Sequence, residues 1–89
     1  MPRRERWSVI GAILEAVERQ REASGSDARL TRIAMAANLP YDRLVTYLED
    51  LARTGLITDA RKPDLTDKGR EFLRSYRQWN EMLSRFGLA

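Results

Sequence analysis

Eighty-nine residues suffice for one domain with one modest core, a size at which buried apolar surface only just supports independent stability. The chain has no cysteine and no histidine, which excludes disulfides, a cysteine–histidine zinc site and every mechanism that needs a thiol or an imidazole. Sixteen cations against thirteen anions leave a net charge of +3; fourteen of the sixteen are arginine, suited to bidentate phosphate and guanine contacts, so the composition permits nucleic acid without demanding it.

The N-terminal segment MPRRERWSVIGAILEAV has the basic start and apolar follow-on of a signal peptide. Glu15 and Glu18 interrupt that pattern and no small-residue cleavage site follows, so the segment reads as a mature helix and the expected location is cytoplasmic. No apolar run approaches the roughly 20 residues that a bilayer crossing needs.

Behind a basic start at Arg3 and Arg4, Trp7, Ile10, Ile13, Leu14 and Val17 recur at helical spacing and predict a first helix over about 6–23. Ser24, Gly25, Ser26 and Asp27 are turn chemistry, and Ser26 or Asp27 can cap a second helix that runs to about Ala37. Leu30, Ile33, Ala34 and Ala37 face inward there, the alanines small enough to admit a crossing helix. Asn38 suits a left-handed helix end, and Pro40, which disfavours helix at Leu39, belongs at the start of a third helix over 41–53. Leu44, Tyr47, Leu48 and Leu51 form its inner face and Gly55 its stop.

Residues 56–58 and 64–66 then predict two short strands around a turn of Asp59, Ala60, Arg61, Lys62 and Pro63, the proline confining its strand to an edge. Thr66 can cap a terminal helix that continues to about Phe86, with Asp67 favourable to the helix dipole and Gly69 admitting close packing. Phe72, Tyr76, Trp79, Leu83 and Phe86 repeat along it at spacings of four, three, four and three, a heptad seam flanked by Leu73 and Met82. No repeat, low-complexity tract or linker divides the chain, so 1–89 is expected to be one mainly α domain of order α–α–α–β–β–α, a winged helix-turn-helix in which 66–86 is the terminal helix.

The motifs TRIAMAANLPYDRLVTYLEDL, GLI and LTDKGREFL, in that order and separation, resemble a family of small archaeal winged-helix DNA-binding proteins, chromatin-associated or regulatory. The resemblance covers nearly the whole chain. It implies binding of double-stranded DNA by a homodimer that pairs through an antiparallel coiled coil of its terminal helices, with DNA contacts from the second and third helices and the wing. Pro40 departs from the family, which usually has a small polar residue there. The outward face of the third helix also mixes Asp42, Glu49 and Asp50 with Arg43 and Arg53, and carboxylates near phosphates lower non-specific affinity.

Given that fold, Arg29 and Arg32 in the first turns of the second helix are candidates for phosphate contact, as are Arg61 and Lys62 at the wing tip. Arg43 and Thr46, early on the exposed stripe of the third helix, are candidates for base edges. Tyr41 can offer its hydroxyl to a phosphate or pack across the turn, and Arg3, Arg4 and Arg6 are either a minor-groove arm or a frayed, soluble end. The seam could be local core, which accounts for Phe72, Leu73 and Tyr76; Trp79, Leu83 and Phe86 are expected to lie beyond such a core and to seek a second copy of the helix, since leaving each in water forgoes about 1.5–3 kcal/mol. Neither a glycine-rich phosphate loop nor a metal-ligand cluster is evident, so no catalysis, no cofactor and no small-molecule substrate is expected. A winged helix that meets another protein instead of DNA is the alternative.

Overall fold

The computed structural model describes residues 6–20 and 26–88. Arg3 and Arg4, residues 21–25 and the capping side chains of Ser26 and Asp27 lie outside the described residues. Four helices follow one another: α1 (Arg6–Arg19), α2 (Ser26–Ala37), α3 (Tyr41–Arg53) and α4 (Asp67–Arg85).

Helix α1 closes at Arg19, with Gln20 already in a turn, short of the expected residue 23. Its buried surface is wider than the expected stripe: Val9, Gly11 and Ala16 are buried with Ile13, Leu14 and Val17, while Ile10 is half-buried and Trp7 is 37% exposed. The cause is its position, since α1 packs against α2 on one side and α4 on the other and so has two inward faces. On the α4 side the Tyr76 ring lies in the space that a side chain at Gly11 would fill.

The helix-turn-helix is built as its residue types dictate. Leu30, Ile33, Ala34 and Ala37 are all buried. Asn38 takes φ 57°, its N–H donating to the Met35 carbonyl at 3.1 Å and that of Leu39 to Ala34 at 2.9 Å, which satisfies the carbonyls orphaned at the end of α2. Pro40, extended at φ −61° and ψ 147°, opens α3. Leu44, Leu48 and Leu51 are buried, Tyr47 is half-buried, and α3 ends as α2 does: Gly55 at φ 86°, with Leu56 donating to the Leu51 carbonyl at 2.9 Å.

The wing differs from expectation. In place of strands over 56–58 and 64–66, a single antiparallel bridge joins Ile57 to Leu65, and no strand occurs among the described residues. Two hydrogen bonds flank it, Thr58 N–H to the Asp64 carbonyl at 2.9 Å and Thr66 N–H to the Leu56 carbonyl at 3.3 Å. The ladder stops there because its would-be extensions are already engaged. The N–H groups of Leu56 and Ile57 donate back to Leu51, Thr66 is committed to capping α4, and the N–H groups of Arg61 and Lys62 turn onto the Asp59 carboxylate at 2.6 and 3.4 Å.

Thr66 caps as expected: its Oγ1 accepts from the Gly69 N–H at 3.0 Å and donates to the Gly55 carbonyl at 2.5 Å, so one hydroxyl ties the end of α3 to the start of α4. A Cβ at residue 69 would collide with the Leu56 carbonyl, which is the close approach glycine permits. Helix α4 has 19 residues, about 28 Å at 1.5 Å per residue. Leu73 alone of its large side chains is fully buried; with Leu56, Ile57, Leu65 and Pro63 it closes the core beneath the hairpin.

Candidate nucleic-acid interface

The first exposed turns of α3 carry Tyr41, Asp42, Arg43 and Thr46, brought outward because Leu44 and Leu48 are held in the core. Thr46 donates from Oγ1 to the Asp42 carbonyl at 3.2 Å, a helix-surface bond that leaves its oxygen able to accept. Tyr41 is 42% exposed, between its two sequence readings. An open groove of about 360 Å3 runs along this face, lined by Arg6, Asp42, Arg43, Thr46, Tyr47 and Asp50.

Within the groove, Arg6 from the start of α1 sits with its guanidinium carbon 5.8 Å from the centre of the Tyr47 ring and its Nη2 3.6 Å from the Asp50 carboxylate. Arg53, one turn on, pairs with the same carboxylate. Asp50 therefore serves two cations, and the trio carries a net single positive charge. Nothing in the sequence spacing links Arg6 to Asp50, although the i,i+3 placement of Arg53 does point to the other half of the arrangement.

Of the candidate phosphate contacts, Arg32, Arg61 and Lys62 are exposed and, with Arg43, make no ion pair among the described residues. Arg61 and Lys62 follow Asp59 in the tight turn, and those two N–H donors, Arg61's first, hold the Asp59 carboxyl below its ordinary pKa. Arg29 is placed differently. Its Nε donates to the Gln20 carbonyl at 2.8 Å and its Nη2 to the Val17 carbonyl at 3.2 Å, so it caps the C-terminus of α1.

Other cations are likewise engaged within the fold. Lys68 reaches the Thr54 carbonyl at 2.8 Å, and Arg70 pairs with Asp67 at 2.6 Å while donating to the Leu65 carbonyl. Arg77 bridges Glu18 at 2.8 Å and Glu15 at 3.4 Å, the Glu18 bond above all raising its already high pKa.

Along α4, Phe72 and Tyr76 pack half-buried against the core. Trp79, expected beyond the reach of the domain, is in fact met by Trp7 of α1, edge on at 6.1 Å between ring centres, and Trp7 also meets Tyr76 at 5.7 Å. Trp79 still keeps 45% of its surface in solvent, Leu83 is half-buried, and Phe86 is 71% exposed. The aromatic rings and Ser75 line an open apolar groove between α1 and α4.

Among the described residues no group of three His, Cys, Asp or Glu side chains is placed to hold a metal, and no helix is long and apolar enough to cross a membrane.

Three helices with an Asn–Leu–Pro turn between the second and third, a turn closed by one antiparallel bridge and a fourth helix follow the element order of a winged helix-turn-helix. The family model of that description matches residues 3–84, and the chain belongs to the winged helix-turn-helix family, whose general activity is DNA binding. No curated protein and no solved structure gives a significant match.

Proposed function

We propose that this protein binds double-stranded DNA as a homodimer and acts as a transcriptional regulator or chromatin-associated protein of the nucleoid. The observation that carries the reading is the set of exposed, unpaired cations on the helix-turn-helix and the turn that follows it. Arg29, Lys68, Arg70 and Arg77 are occupied by the fold's own carbonyls and carboxylates, whereas Arg32, Arg43, Arg61 and Lys62, on α2, α3 and the hairpin turn, are exposed and make no ion pair among the described residues; Arg19, Arg74 and Arg85 are also exposed and unpaired there, but on α1 and α4. In this reading Arg32, Arg61 and Lys62 neutralise phosphates, Arg43 and Thr46 meet base edges in the major groove, and Arg29 supports α2 from behind. Its role is positioning on the duplex, with no chemistry performed.

The homodimer rests on Trp79, Leu83 and Phe86, whose remaining exposed surface a second α4 would cover, with Phe72 and Tyr76 at the near end of the same seam. The antiparallel pairing follows the resemblance to the archaeal winged-helix proteins. With 19 residues in α4 and its first turns committed to Leu56 and the core, the paired length is short.

A fluorescence-anisotropy titration of random and genomic duplexes at two salt concentrations, with sedimentation of the same sample, tests this. Salt-steep binding by a dimer supports it, and a genomic preference makes the protein a regulator. Asp42 and Glu49, exposed on α3 with no ion pair among the described residues, favour a second reading in which that face meets a basic partner protein. Absence of duplex binding at low salt selects it.

A further inference from the structure

We infer that Arg6 of α1 is a further DNA contact, held on the reading face by Asp50 and Tyr47 of α3. The inference rests on the DNA-binding reading above and adds to it a residue from a helix outside the helix-turn-helix.

Three observations converge on Arg6. Its guanidinium is carried across to α3 by two independent contacts, the Tyr47 ring at 5.8 Å and the Asp50 carboxylate at 3.6 Å, so a long side chain at the first residue of a helix is biased toward the α3 face. It nevertheless remains 69% exposed, and one carboxylate shared with Arg53 leaves most of its five N–H donors unused. It also lines the same groove as Arg43 and Thr46, the two side chains assigned to base edges.

The charges in that groove are Arg6 and Arg43 against Asp42 and Asp50, and Arg53 adds a cation through its pairing with Asp50. With one more cation than carboxylate, the cluster attracts an anion, and the planar guanidinium fork matches a phosphate bidentately. Asp50 becomes a positioning residue: without it, Arg6 is an ordinary flexible surface arginine whose ordering a phosphate would have to supply.

The test is anisotropy of one labelled duplex across a salt series for the wild type, Arg6→Ala, Arg6→Lys and Asp50→Asn, with a thermal melt of each. Wild-type binding secures the parent reading; its absence overturns that reading and this one together. Given wild-type binding, Arg6→Ala should flatten the log–log salt slope by about one unit and weaken affinity roughly five- to tenfold near 0.1 M salt, with Arg6→Lys restoring the slope. An unchanged slope for Arg6→Ala overturns the contact while leaving the parent reading intact. Asp50→Asn discriminates positioning from simple charge, because deleting a carboxylate beside DNA would by itself tighten binding. The expected result is weaker binding at a retained slope; tighter binding would overturn the positioning role. A change in melting temperature does not move the salt slope, so a variant that is merely less stable is recognised.

Discussion

The Nε of Arg29 donates to the main-chain carbonyl of Gln20 at 2.8 Å and its Nη2 to that of Val17, fastening the first turns of α2 to the last carbonyls of α1. A cation here also opposes the negative end of the α1 dipole. Arg29→Ala should therefore cost about 1.5–3 kcal/mol in urea unfolding, the range for hydrogen bonds that involve a charged group. It should leave the salt slope of DNA binding where it was; a slope reduced by one unit with unchanged stability would return Arg29 to the phosphate contacts.

Gly69 and Gly55 should respond to alanine for different reasons. At residue 69 the new methyl meets the Leu56 carbonyl, backbone that cannot swing aside, and the expected loss is roughly 1–3 kcal/mol with α4 displaced at its start. At residue 55 nothing lies within 4 Å, so only the positive φ is at issue and the loss should be about 1 kcal/mol. Chemical denaturation of both variants checks the order; Gly55→Ala proving the worse of the two would refute it.

Trp79→Glu puts a carboxylate in the middle of the proposed α4 seam while leaving Leu73 and the domain core in place. The expected species in sedimentation velocity is a monomer whose melting temperature no longer depends on protein concentration, in contrast to a wild type whose melting temperature rises with it. A wild type that sediments as a monomer at all concentrations would dispose of the dimer.

Asp59 orders the hairpin turn through the N–H groups of Arg61 and Lys62, and these bonds, which favour the carboxylate, hold its pKa below the ordinary 3.8. The sign follows: its contribution is fully present above pH 3.8 and is lost as the pH falls through the lower, folded value. NMR should show amide exchange at Arg61 accelerating only in that acid window, and Asp59→Asn, which retains an acceptor, should disturb the turn less than Asp59→Ala. A carboxyl titrating above 3.8 contradicts the arrangement.

Helices α2 and α3 were legible in the sequence because their ends are chemically marked: Asn38 and Gly55 take the positive φ that few other residues tolerate, and Pro40 bars continuity. Helix α1 is less legible, since a helix buried on two sides has no single stripe, and Val9 and Ala16 fall outside the one its spacing predicts. The hairpin ladder is shorter than its residues predict because strand propensity takes no account of competing demands on the same groups from the end of α3 and the cap of α4. Among the candidate site residues, Arg43, Arg61 and Lys62 lie at the surface where they were expected. The placements of Arg29 and Arg6 depend on partners 9 and 44 residues away in the chain, which no local pattern records.

The seating of Tyr76 directly over Gly11 has a mechanical corollary. A ring laid on bare backbone brings the two helices close at that point, and Trp7 against Tyr76 and Trp79 and Arg77 against Glu15 and Glu18 extend the same α1–α4 contact on either side. In the proposed dimer joined through α4, the separation of the two α3 helices would be set by how α1 seats on α4. Such a calliper would fit sites of one spacing, and a duplex whose half-sites are moved by a few base pairs would have to bend or twist to be held.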